Sequence, residues 1–319
     1  MGAAYLKEDI WRAFGGSGLS VVSRHVIVIG KTGQLARALA AAEIGLDWHI
    51  TFYDREACDL SASIAEIGAF AENLPPCDGL IIAAAYTAVD AAEDNEALAT
   101  QVNARAPEVF AKLCRARSIP MVHISTDYVF SGQDNSPIKP EASTAPINAY
   151  GRSKLAGETA IINSGSRAVI LRTSWVFDGI GKNFLTTMLR LGDTRESLQV
   201  VSDQIGRPTY AGHLAQACLG ALNKLMEDIN FQGGMYHVSG RGAPISWAEF
   251  AQAIFDATQD KRGHKVSVEG ILSSGYPTRA KRPAYSVLDI KAFERDFDIK
   301  LANWKDGLTA ALNQWRGEK

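Results

Sequence analysis

The chain has 319 residues, 46% hydrophobic and 21% charged, with a net charge of −2 at neutral pH. That is enough for one large or two modest domains with a substantial core, and the near-neutral balance gives no electrostatic reason to expect nucleic acid or an anionic membrane as partner. No apolar run approaches the roughly 20 residues that span a bilayer, and Cys58, Cys77, Cys114 and Cys218 lie far apart without metal-ligand spacing, so reduced thiols in a cytoplasmic protein are expected.

Residues 1–24 carry Lys7, Glu8 and Asp9 where a secretory leader needs an apolar core, and Gly15-Gly16-Ser17-Gly18 reads as a flexible joint. This stretch is expected to be an extension outside the fold. From His25 the pattern is regular. "HVIVIG" is a β-branched run ending at Gly30, and "GQLARALAAAEIG" follows with Leu35, Leu39 and Ala42 at helical spacing. "WHITFYD" is a second strand ending in Asp54, "SIAEIGAFAENL" a helix and "CDGLIIAAAY" a third strand. A helix over 104–117 leads to "PMVHISTDYVF", a fourth strand; a helix opening at Asn148 leads to "RAVILRTSWVF", a fifth. Short strands alternating with helices predict right-handed βαβ units and a parallel sheet buried on both faces. Beyond Phe177 helices are predicted over 182–192, 211–226, 246–258 and 303–316, with isolated apolar runs such as "MYHVSG" between them. This part reads as a smaller substrate-holding domain, with some elements returning to the first sheet.

Gly30 and Gly33 sit where the first strand turns into a helix. Glycine permits the tight turn, and the helix N-terminus offers N–H groups and positive dipole to a pyrophosphate. Ala36, at the next position of that spacing, is small enough for close packing. Asp54, 24 residues after Gly30, could accept hydrogen bonds from an adenosine ribose. Arg55 beside it could pair with a 2′-phosphate, so NADPH and NADH both stay open.

Tyr150 and Lys154, four residues apart in "NAYGRSK", share one helix face. With a nicotinamide nearby, Tyr150 would give the proton to a ketone being reduced, and the Lys154 ammonium would lower the tyrosine's pKa from about 10. Thr126, ending the fourth strand, would hold the ketone oxygen.

The segments "GKTGQL", "TAVDAAE", "STDYVFSG", "NAYGRSKLAGE", "RTSWVF", "NFLTTMLRL", "SDQIGRPT" and "YPTRAKRPAYSVLD", in that order from His25 to Trp315, resemble the dTDP-4-dehydrorhamnose reductase family of the extended short-chain dehydrogenase/reductase superfamily. The resemblance implies a Rossmann-type doubly wound parallel sheet over 25–175 and a smaller C-terminal α/β substrate domain over 176–319. It implies NADPH- or NADH-dependent reduction of the C4 ketone of dTDP-4-dehydro-L-rhamnose, a step toward surface polysaccharides, by a monomer or homodimer. Thr126, Tyr150 and Lys154 are then the catalytic trio. Gly30, Lys31, Thr32, Gly33, Gln34 and Leu35 line the pyrophosphate, Asp54, Asp59 and Leu60 the adenosine, and Ala83, Ala84 and Ala85 flank the cofactor. Thr126, Asp127 and Trp175 contact the sugar nucleotide, the Trp175 indole covering an apolar sugar face while its N–H donates at the edge, and Arg282 contacts its diphosphate. Tyr86 stands where histidine is frequent. Mg²⁺ carboxylates at a dimer contact have no recognisable counterpart, so no metal is expected.

Rival readings are weaker on particular residues. A 4,6-dehydratase needs a carboxylic pair after the threonine, and Asp127 is followed by Tyr128; a 4-epimerase usually has serine at Thr126; a non-catalytic NADP-binding regulatory subunit has no need of the trio. Trp11, Trp48, Trp247, Trp304 and Trp315 read as packing residues.

Overall fold

A computed structural model of the chain describes residues 23–43 and 48–315. Six strands, β1 (Arg24–Ile29), β2 (Trp48–Tyr53), β3 (Gly79–Ile82), β4 (Met121–Thr126), β5 (Ala168–Thr173) and β6 (Gly233–His237), form one parallel sheet in the order β2-β1-β3-β4-β5-β6. The longer helices are α1 (Gln34–Glu43), α2 (Ile64–Glu72), α3 (Ala106–Arg117), α4 (Ala149–Ser164), α5 (Phe184–Gly192), α6 (Ala211–Glu227), α7 (Trp247–Asp256) and α8 (Trp304–Gln314). Arg24 pairs with Trp48, so the ordered fold takes in one residue of the expected N-terminal extension; residues 1–22 lie outside the described residues.

Strand alternation sorts the core. Val26 and Val28 of β1 point to one face, where they meet Leu35 and Leu39 of α1 and Leu214, Cys218 and Leu222 of α6. Ile27 and Ile29 point to the other, against Ile67, Phe110 and Ile161. The run containing Met235 and Tyr236 therefore returns to the sheet as β6 beside β5, and α6 returns with it. A separate cluster, with Phe177, Leu185, Phe250, Phe255, Trp304 and Leu308, joins α5, α7 and α8.

The register levels the carboxyl ends: Ile29 stands beside Tyr53 and Ile82, and Thr126 beside Thr173. The strand order reverses direction between β1 and β3, which opens a crevice beyond those ends. Among the described residues no helix is long and apolar enough to cross a membrane.

Helix α4 is fixed to the sheet by charge as well as packing. Glu158 takes two hydrogen bonds from the Arg172 guanidinium, at 2.8 and 2.7 Å, and a third from Ser125 at 2.5 Å. Both side chains are buried, 2% and 5% exposed, whereas the pair that Arg152 of the same helix makes with Glu96 is nearly half exposed. Breaking a buried pair leaves an uncompensated charge and costs about 3–5 kcal/mol; an exposed pair is worth at most about 1 kcal/mol. Glu158→Leu is therefore expected to lower unfolding free energy in urea by about 3–5 kcal/mol, and Arg152→Ala by less than about 1 kcal/mol.

Candidate active site

The turn after β1 depends on Gly30. Its φ is +116°, and a Cβ there would lie 2.9 Å from the Ala84 nitrogen. That nitrogen and the one of Ala83 donate to Ile29 O at 2.9 and 3.0 Å, so backbone meets backbone where side chains would collide. Gly33 faces open space at the start of α1, whose first N–H groups have no helical partner. At the end of β2, Asp54 pairs with Lys31 at 3.2 Å and accepts from the Ala57 amide at 3.1 Å. The amide first, and then Lys31, hold its carboxyl below the ordinary value. Arg55 is drawn to Asp59 at 3.3 Å and lies 3.3 Å from the Ser61 hydroxyl.

Tyr150 and Lys154 sit in the first two turns of α4. Asn148 caps the helix, accepting from Gly151 N at 2.8 Å. Just before α3 the chain widens into a π-helical turn, Gln101–Arg105, a distortion frequent at functional sites. It buries Asn103, whose amide bonds the Tyr86 backbone at 2.8 and 3.0 Å and Ser153 Oγ at 2.9 Å, tying α4 to the loop after β3.

The trio differs from expectation in one respect. Lys154 is 2% exposed, and its Nζ donates to Ile124 O at 2.6 Å and lies 3.3 Å from His123 Nε2. Burial lowers its pKa to about 8. Among the described residues no hydrogen bond joins it to Tyr150, and burial pushes the phenol up to about 12, against a smaller opposing effect of the neighbouring Thr126 hydroxyl. The ammonium is thus turned toward the sheet, and burial raises the tyrosine pKa where a lowering was expected. His123 is fully buried and held well below its ordinary pKa by desolvation and then by Lys154, so it faces the ammonium as a neutral acceptor.

Thr126 Oγ1 donates to Asp127 Oδ1 at 3.0 Å and accepts from Tyr128 N at 3.2 Å. Asp127 is buried, which raises its carboxyl to about 6, and its Oδ2 has no hydrogen-bond partner among the described residues. An unpaired buried acceptor on a cavity wall is suited to a ligand hydroxyl.

One cavity of about 920 Å³ collects these groups. Gly30, Lys31, Thr32, Gly33, Gln34, Leu35, Asp54, Asp59, Leu60, Ala83, Ala84, Ala85, Thr126, Asp127, Tyr150, Lys154 and Trp175 all line it. The glycine turn, the helix N-terminus and three small alanines fit a dinucleotide laid across the β1–β3 crevice. Arg282 stands apart: its guanidinium bonds both Asp90 carboxylate oxygens, at 3.2 and 2.7 Å, and the Ala280 carbonyl. Trp247, expected to be a packing residue, lines the cavity with Phe184, Asn183 and Lys182. The only signal for it in the sequence is an aromatic at the first position of a capped helix.

The RmlD substrate binding domain family matches residues 24–316. dTDP-4-dehydrorhamnose reductase of Sinorhizobium fredii is 39% identical over 280 residues, 88% of this chain and 93% of that protein. The chain belongs to the dTDP-4-dehydrorhamnose reductase family. The reductase of Salmonella typhimurium is 36% identical and covers 91% of the chain and 97% of its own length. Among solved structures, the Bacillus anthracis dTDP-4-dehydrorhamnose reductase in complex with NADP superposes with a TM-score of 0.82 at 33% identity, over 92% of this chain and all of that one. UDP-glucose 4-epimerase of Brucella ovis, at 19% identity and a TM-score of 0.73, shares the fold.

The two glycines of the turn in this dTDP-4-dehydrorhamnose reductase family member are separable by experiment. Gly30→Ala forces a Cβ into Ala84 at a left-handed φ, so its melting temperature is expected to fall by several degrees, as a loss of about 1–2 kcal/mol gives. Gly33→Ala meets no protein atom, so its melting temperature stays near the parent's while the added methyl weakens NADPH binding in a fluorescence titration. Equal melting of both variants would contradict the assignment.

Proposed function

We propose that the protein reduces the C4 ketone of dTDP-4-dehydro-L-rhamnose to dTDP-L-rhamnose with NADPH or NADH. The observation that carries the proposal is the convergence of Thr126, Tyr150 and Lys154 with the Gly30–Gly33 turn in one cavity of a chain belonging to this family. The Gly30–Leu35 turn and Ala83–Ala85 would hold a reduced nicotinamide dinucleotide, and its chemistry would be hydride donation to the ketone carbon. Tyr150, protonated throughout the neutral range because burial raises its pKa to about 12, gives its proton to the ketone oxygen as that oxygen gains charge. Thr126 holds that oxygen after turning its hydroxyl from Asp127, and Asp127, freed from that bond, accepts from a sugar hydroxyl. The phenolate left on Tyr150 needs a cation, and Lys154 supplies it by moving off Ile124 O. The proposal extends to a cytoplasmic enzyme acting as a monomer or homodimer, with the sugar nucleotide held by the aromatic end of the cavity.

Three measurements test it. Purified protein offered dTDP-4-dehydro-L-rhamnose should oxidise NADPH or NADH, and the D-epimer should not replace the L-sugar; no oxidation of either coenzyme with the L-sugar refutes the function. Tyr150→Phe should lower kcat by roughly 10²–10⁴ with little effect on cofactor binding. The high-pH side of the profile follows from Lys154: its ammonium is present below about 8 and lost above, so kcat/KM should hold steady between about 6, where the Asp127 carboxyl takes up a proton, and about 8, and fall as pH rises past the upper value. The decline should vanish from the residual activity of Lys154→Met, and its persistence there would reassign it.

A further inference from the structure

Trp175 has a φ of +51°, in the left-handed region that a bulky side chain rarely adopts. Such an outlier persists only where the surroundings over-determine it. Two contacts do so here. The Trp247 ring lies 3.5 Å from the Trp175 ring, centroid to centroid, at an interplanar angle of 9°. At Gly206, an added Cβ would lie 2.6 Å from Cε2 of the Trp175 indole and 2.8 Å from both Cζ2 and Nε1. Cε2 is a ring-fusion atom set back from the rim, so its being nearest places Gly206 over a ring face. That is the face opposite Trp247, because two fully overlapping rings leave no room for backbone between them.

The two jaws are joined. Gly206 pairs with Ile245 in a short antiparallel ladder, and Trp247 follows two residues later as the first residue of α7, which Ser246 caps. The Trp175 backbone is anchored separately, its carbonyl accepting from Thr209 N at 3.1 Å. Phe184 leans on the outer jaw, with its ring 4.5 Å from that of Trp247. Both faces of Trp175 are therefore covered, and what it offers the cavity is its rim, on which the N–H is the polar group. This corrects one half of the expectation, the indole covering an apolar sugar face, and leaves its other half, an N–H offered at the edge.

We propose that Trp247 is a positioning residue for sugar recognition, clamping Trp175 against Gly206 so that the indole meets the hexose edge-on through its N–H. The proposal rests on the reductase reading, and it assigns the selectivity of this end of the cavity to a stack that stays closed when the sugar nucleotide binds.

Two stacked indoles give an exciton couplet in far-ultraviolet circular dichroism, which reports the clamp independently of turnover. The wild type should show that couplet, and saturating dTDP-L-rhamnose should leave it in place. Trp247→Ala should lose it and raise both the KM for the sugar nucleotide and the calorimetric Kd for dTDP-L-rhamnose by about three- to tenfold, the worth of one aromatic stack, with kcat and the KM for NADPH little changed. Trp247→Phe should also lose the couplet but recover most of the affinity, since a ring again covers the indole. Unchanged sugar affinity in a folded Trp247→Ala protein overturns the proposal, as does a wild-type couplet that disappears on product binding. A wild type that binds dTDP-L-rhamnose without turning over the L-ketone refutes the reductase reading while the clamp is still judged by the Kd values. A wild type that does neither removes both.

Discussion

The site depends on a row of charges buried between α4 and the sheet. Lys154 and Glu158 lie one turn apart on the helix, and Arg172 answers from β5. A lone ammonium at this depth would be neutral at physiological pH, because desolvation penalises the charged form. Glu158 opposes that penalty electrostatically and Ile124 O takes a hydrogen bond, so the Lys154 pKa falls only to about 8. Arg172 in turn donates two hydrogen bonds to the Glu158 carboxylate and is itself satisfied by the Pro140 carbonyl and the face of Phe130. Such an array is weak evidence for stability, since well-packed apolar residues often serve as well. What it holds is a buried cation, Lys154, on the wall of the cavity that Tyr150 also lines.

The two ends of the cavity are built in different ways. At the cofactor end the sheet makes the site: aligned strand ends, a glycine that lets β1 and β3 touch, and the first turn of α1. At the sugar end the aromatic residues come from chain segments that share a separate hydrophobic cluster, with Trp247 and Phe184 packed against Phe250. Arg37 bridges the ends, pairing with Asp178 at 2.8 Å and bonding the Ile180 carbonyl from α1. A shift of α5 and its leading loop would therefore be felt at the pyrophosphate turn.

The sheet was legible because period-two burial on both faces leaves β-branched runs, and the glycine turn because only certain backbones fit there. "MYHVSG" stood out only as an isolated apolar run, and its place as β6 depends on pairing with β5, a strand distant in sequence. The trio was legible because its members are close in sequence to strand and helix ends. Other features were hidden because they are pairings between distant segments. Nothing in "NAYGRSK" says that Lys154 turns toward Ile124 and His123, 30 and 31 positions earlier. Nothing near Trp247 announces a partner at Trp175, and Arg282 finds Asp90 across 192 positions.

These hidden pairings share a consequence. Lys154 is held by Ile124 O, Thr126 by Asp127, and Arg282 by Asp90, so groups suited to meet a ligand already have partners within the protein. Binding is then an exchange of hydrogen bonds, and only the difference between old and new partners contributes to affinity. For Lys154 the exchange replaces a carbonyl by a charged or hydroxylic oxygen, which favours the bound arrangement most strongly once Tyr150 carries negative charge. The preference therefore grows along the reaction, the condition under which an interaction accelerates chemistry and does more than tighten substrate binding. For Arg282 the existing partner is a carboxylate, already a charge-assisted match. A diphosphate would gain little by displacing that carboxylate, so here the exchange offers no comparable advantage.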